Sequence, residues 1–99
     1  MNKNRLPIIR PGEILRLEFL EPLGITSYRL SKDIGVAQTR ISEILSGKRS
    51  ITADTALRLA RYFDNSAQFW LNLQTQYDLR QAQEANAETY SRISTAHLS

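Results

Sequence analysis

Gln38, Thr39, Ser42 and Glu43 fall on one face if residues 38–45 form a helix, and each side chain can hydrogen-bond. A glutamine amide pairs bidentately with adenine, and a glutamate carboxylate accepts from cytosine N4. Arg40, in the same turn, can reach either a base or a phosphate. Lys48 and Arg49 follow at once, where cations would meet a phosphate backbone. The hydroxyls of Ser42 and Ser27 can bond the same phosphates, Ser27 with the help of a helix N-terminus. This chemistry is that of reading a DNA major groove. Gln38, Thr39, Arg40 and Glu43 are the candidate base readers, and Ser27, Ser42, Lys48 and Arg49 the backbone contacts.

Such readers need a rigid platform. The stretch from Ser27 to Arg49 reads as two short helices joined by a tight turn at Gly35. The first buries Leu30 and Ile34, four residues apart. The second buries Ile41, Ile44 and Leu45 at i, i+3, i+4. Ser31 is small enough to let the helices approach. Gly35 suits a turn with positive φ, and Val36 fills the corner. Thr26 can cap the first helix, and Gly47 reads as the stop of the second. This is the layout of a helix-turn-helix. Apolar spacing alone would suit any helical hairpin. The polar outer face, the turn and the basic loop favour the DNA reading.

The 99 residues suit one domain, with 41% hydrophobic and 23% charged residues as in ordinary globular proteins. A core of this size confers modest stability, which an obligate dimer would raise. The net charge is +3, but residues 1–50 carry nine Lys/Arg against five Asp/Glu, and residues 51–99 four against five. The positive excess accompanies the helix-turn-helix, as a phosphate partner requires. With no cysteine, neither a disulfide nor a thiolate metal site is available. No apolar run approaches the roughly 20 residues of a membrane span, and no apolar signal core follows the basic start. The chain reads as soluble and cytoplasmic, without a membrane partner.

Along the chain, residues 1–10 are polar and basic and predict a mobile arm. Residues 11–82 form the domain, and 83–99 a polar tail expected to fray or to await a partner. A first helix starts at Pro11, with Glu13 in its first turn, Leu15 and Phe19 as i, i+4 partners, and Leu20 and Leu23 continuing the apolar side. A fourth starts at a Thr52 cap, with Ala53, Ala56, Leu57, Ala60 and Phe63 on one face. A fifth starts near Ser66, with Phe69, Leu73 and Tyr77 in a stripe and Trp70 beside it. Phe69 and Leu73 read as core. Trp70 and Tyr77 are candidates for a dimer seam, since aromatics are enriched at interfaces. The expected fold is all-α, five helices in a lambda-repressor-like domain.

Catalysis is not expected. His97 stands alone near the end of the chain, so neither a zinc site nor a base-nucleophile pair can be assembled. Glu13 and Asp54 read as helix-start residues, and Glu18 and Asp64 as solvated surface. There is no glycine-rich phosphate loop. No cofactor or metal is implied.

The segments Pro11-Gly-Glu-Ile-Leu, Glu18-Phe-Leu-Glu-Pro-Leu-Gly24, Arg40-Ile-Ser-Glu-Ile-Leu-Ser-Gly-Lys-Arg49, Asp54-Thr-Ala-Leu-Arg-Leu-Ala60 and Phe69-Trp-Leu-Asn-Leu-Gln74 resemble the HigA-type antitoxins. These include proteins named virulence-associated protein I, within the XRE or Cro/C1-type helix-turn-helix class. The resemblance covers roughly residues 8–82. The pairing of the first segment with the last points to the antitoxin branch rather than to the class alone. It implies a homodimer that binds an operator and represses its own operon, and a partner toxin, usually an mRNA endonuclease of the RelE type. Ala37 departs from the pattern, standing where many XRE proteins place Ser or Thr to cap the recognition helix. Two other readings remain open at this point: a free-standing regulator without a toxin, and a toxin-neutralising module without DNA binding. A basic toxin would be drawn to the acidic tail residues Glu84 and Glu88.

Overall fold

The computed structural model describes residues 9–96. The arm residues 1–8 and His97 lie outside them. The first helical body comprises α1 (Pro11–Ile14), a π-helical segment (Leu15–Leu20) and α2 (Glu21–Leu23). There follow α3 (Ser27–Ile34), α4 (Gln38–Leu45), α5 (Ala53–Phe63) and α6 (Ala67–Ser91). The expected five helical bodies are therefore present, and the first departs from a regular α-helix. Pro22 explains why a regular helix is unfavourable there. It has no N–H to give, and its ring crowds the carbonyl four residues back. Widening the preceding turn to an i→i+5 register, as in the Glu21 N–H to Arg16 carbonyl bond, relieves that conflict. The body ends at Gly24, whose φ of +65° lets the Ile25 N–H reach the Leu20 carbonyl at 2.9 Å.

Leu15, Leu20, Leu30, Ile34, Ile41, Ile44, Ile51, Ala56, Leu59, Ala60 and Trp70 form one core. Gly12 brings the first helix onto the end of α4. A Cβ there would collide with the Ile44 carbonyl and approach the Leu45 Cα to 2.8 Å, so only glycine permits this approach. Two sequence expectations shift by a fraction of a helical turn. In α5 the buried face is Thr55, Ala56, Leu59 and Ala60, while Leu57 is 63% exposed. In α6 the inward residues are Trp70 and Gln74, and Phe69 lies at the edge of the core. Leu23 is exposed as well.

Ser66 caps α6, its hydroxyl accepting from the Phe69 N–H at 3.0 Å. Thr52 occupies the cap position of α5, but its side chain accepts no bond there. The polar tail was expected to fray after residue 83. Instead α6 runs to Ser91, broken only at Asn86, whose φ/ψ of −132°/27° is not helical. Residues 83–96 are all exposed. The helix therefore projects from the domain and stretches it to 55 Å along its longest axis.

Candidate nucleic-acid interface

α3 and α4 meet as the spacing predicts. Leu30, Ile34, Ile41 and Ile44 are buried, and the buried Ser31 donates its hydroxyl to the Tyr28 carbonyl at 2.7 Å. Gly35 has φ +75°, and the Val36 N–H closes onto the Ser31 carbonyl at 3.0 Å. The Thr26 hydroxyl accepts from the Arg29 N–H at 3.0 Å, the expected cap. Ala37 sits at the N-cap of α4 without a side-chain bond.

A strap from α5 holds this unit in shape. Arg58 Nη1 donates to the carbonyls of Ile34 at 2.7 Å and Gly35 at 3.2 Å, both at the turn. Its Nε donates to Asp54 at 3.0 Å. The same Asp54 oxygen accepts from Arg40 Nη1 at 2.8 Å, and Arg40 also reaches the Thr55 hydroxyl at 3.4 Å. The hydrogen bonds from Arg40 and then Arg58 hold the Asp54 carboxyl below its ordinary value. Beside it, Tyr62 donates its hydroxyl to Asp33 at 2.6 Å and so joins α5 to α3. Local sequence carries no trace of these partners, which lie 14 to 29 residues apart.

On the outer face of α4, Gln38, Thr39 and Ser42 are exposed. The side chains of Gln38 and Thr39 have no partner among the described residues. The Ser42 hydroxyl donates to the Gln38 carbonyl at 3.1 Å and keeps its oxygen free to accept. Glu43 is differently placed. Its Oε1 takes Arg49 Nε at 2.8 Å and Nη2 at 2.7 Å, so reader and backbone candidate are locked to each other. Arg40 likewise spends one terminal nitrogen on Asp54 and Thr55. Lys48 is exposed, its ammonium unpaired among the described residues. The loop itself is fixed by the Lys48 and Arg49 N–H groups on the Glu43 carbonyl, at 2.8 and 3.2 Å. Ser27, the first residue of α3, is half-buried.

Gln74, unremarked in the sequence reading, supports the far end of that loop. It is buried, its Oε1 accepts from the Ile51 N–H at 2.8 Å, and its Nε2 donates to Asp78 at 2.9 Å. A polar residue in the inward stripe of α6 was the one available signal. Trp70 requires a correction. It is fully buried, packed 4.9 Å from the Phe19 ring and 5.0 Å from Phe69, with Nε1 donating to Asn65 Oδ1 at 2.8 Å. A side chain so enclosed belongs to the core and not to a seam. Tyr77 is half-buried, and its hydroxyl accepts from Gln81 at 2.7 Å. The acidic tail is also less acidic than it reads, since Glu84 and Glu88 pair with Arg80 and Arg92 at 3.8 and 3.5 Å.

Among the described residues no group of three or more His, Asp or Glu could hold a metal ion. No described helix is long and apolar enough to cross a membrane.

A helix-turn-helix family model matches residues 17–70. Virulence-associated protein I of Dichelobacter nodosus is 55% identical over 82 residues, covering 83% of this chain and 76% of the relative. Antitoxin HigA-1 of Vibrio cholerae is 40% identical over 79 residues, covering 80% and 74%. The solved structure of Pseudomonas aeruginosa antitoxin HigA with the higBA promoter is 42% identical, with a TM-score of 0.87 over 93% of this chain and all of that one. Scaffold, exposed recognition helix and relatives agree: the chain belongs to the XRE-type helix-turn-helix family, in the branch of the HigA antitoxins, a DNA-binding and non-enzymatic group.

Proposed function

We propose that this chain binds the operator of its own operon as a symmetric homodimer, represses it, and neutralises a cognate mRNA-endonuclease toxin of the RelE type. The carrying observation is the braced α4, which presents Gln38, Thr39 and Ser42 unencumbered beside a basic loop. Gln38 and Thr39 read bases. Ser27, Ser42 and Lys48 hold the backbone. Arg40 chiefly braces the helix through Asp54, and Glu43 orients Arg49 toward phosphate rather than reading cytosine. A single such unit spans only a few base pairs, and two-fold dimers read paired half-sites about one helical turn apart. The projecting α6 supports pairing, since Leu79, Tyr90 and Ile93 are exposed apolar residues on an arm the rest of the chain does not cover. The toxin then docks away from α4, with the first helix and α6 as the faces that remain.

Mobility shifts on the native promoter, light scattering and co-purification from the native operon test this together. A specific shift, a two-chain mass and a co-purifying small protein are expected. Gln38→Ala or Thr39→Ala should reduce discrimination by about 1–3 kcal/mol for a good bidentate contact. Equal loss on operator and random DNA would refute the assignment of readers. A strong shift with no co-purifying protein would favour a free-standing regulator.

A further inference from the structure

Arg10 lies outside the helix-turn-helix and has no role in the function above. Its side chain lies across Gly47, the glycine at the end of the recognition helix. A Cβ on Gly47 would come within 2.8 Å of Arg10 Cδ, and Gly47 has φ +83°, so the position suits glycine for two reasons. The Arg10 Nε is buried without a hydrogen-bond partner. A buried, unpaired donor is costly, and an incoming acceptor would recover that loss. The guanidinium helps line a notch of about 80 Å³ together with Gly47, Lys48, Arg49, Ser50 and Asp78. Asp78, the only carboxylate in that lining, already accepts from Gln74 at 2.9 Å, and Arg49 is held by Glu43. Two cations, Arg10 and Lys48, thus remain without an ionic partner among the described residues.

We infer that Arg10 is a DNA-backbone contact, forming with Lys48 and Ser50 a seat for one phosphate beyond the reach of α4. A phosphate matches the donor set: it is anionic, offers several acceptor oxygens and accepts well from a guanidinium. The inference rests on the proposed operator binding, with the loop after α4 facing the duplex. Its consequence is that the footprint extends past the bases read by Gln38 and Thr39 and depends on a residue preceding the first helix.

The test compares Arg10→Ala, Arg10→Lys and Lys48→Ala with the unaltered protein, on operator and random duplexes across a salt series. Arg10→Ala should weaken both duplexes by the same factor. It should also lower the slope of log affinity against log salt by about 0.9 per protomer, the value for one lost phosphate contact. Arg10→Lys should restore most of the slope, because it keeps the charge. A scan of single methylphosphonates across the operator should find one position per half-site that weakens the unaltered protein but not Arg10→Ala. If Lys48→Ala lowers the slope and Arg10→Ala does not, the inference is overturned while operator binding stands. Loss of toxin affinity with unchanged DNA slope would also overturn it, assigning Arg10 to an acidic protein partner. If the unaltered protein shows no operator preference, the underlying DNA reading fails instead.

Discussion

Replacing Gln74 with leucine preserves volume and removes both polar atoms. The Ile51 N–H then sits beside apolar carbons in a buried position, since Ile51 is 3% exposed, and it has no other acceptor in reach. An orphaned buried donor costs about 1–3 kcal/mol. At about 2 kcal/mol, and with about 4–8 °C of melting temperature per kcal/mol in a domain of this size, the midpoint should fall roughly 8–16 °C. That is a sizeable part of the roughly 5–15 kcal/mol that stabilises a small domain. Gln74→Glu separates the two bonds. It can still accept from Ile51, but a second carboxylate now faces Asp78 where the amide stood at 2.9 Å. Burial and like charge both raise the new group's folded-state pKa. Its proton therefore stabilises the fold at low pH, and that stability is lost as pH rises through the raised value. Thermal melts by circular dichroism at pH 4.5 and 8 should show Gln74→Glu close to the unaltered protein at the lower pH and well below it at the higher. Gln74→Leu should lose about the same amount at both. A melting point for Gln74→Leu within a degree or two of the unaltered protein would refute the reasoning, since the Ile51 bond would then carry no net stability.

Gly12→Ala forces a Cβ into the Ile44 and Leu45 backbone, which cannot yield as a flexible side chain would, and should cost about 1–3 kcal/mol in urea unfolding. Asp33 and Asp54 titrate below the ordinary 3.8 in the folded chain, Asp33 mainly through the Tyr62 hydroxyl and Asp54 mainly through Arg40. The stability they contribute is present above that value and lost as pH falls through the lowered ones; Asp54→Asn should flatten the acid limb of a pH–stability curve, and an unchanged limb would count against the strap. Trp70, the single tryptophan, should emit at the blue end and stay there on dilution through dimer dissociation, shifting red only on unfolding. A red shift on dilution alone would return it to the seam.

The helix-turn-helix was legible because its determinants are local. Leu30, Ile34, Ile41 and Ile44 lie within one 15-residue stretch, and Gly35 and Gly47 mark its turns. The candidate site was half legible. The exposure of Gln38 and Thr39 follows from the helical period, whereas the engagement of Glu43 by Arg49 and of Arg40 by Asp54 does not. Hydrophobicity cannot choose between Leu57 and Leu59 as the core residue of α5. The choice comes from Thr55 turning inward to Arg40, a contact across 15 residues. The same holds for α6, where the indole N–H found a partner in Asn65 and so made Trp70, rather than Phe69, the enclosed ring. The continuation of α6 past residue 83 was missed because its residues bury nothing that a periodic pattern could record.

The π-helical segment between Leu15 and Leu20 gives the first helix one more residue than an α-helix would need to span the same two anchor points, Gly12 against α4 and the Gly24 turn. Elsewhere in a helix, losing a residue rotates everything upstream by about 100° and turns the buried side chains outward. Here the surplus can be absorbed in place, because an i→i+5 turn shortened by one residue becomes an i→i+4 turn with both ends still in phase. The segment is thus a site where the chain can change length without changing its faces. Homologous first helices that are one residue shorter should therefore align by a gap within these six positions, and not at the loops where length differences ordinarily collect.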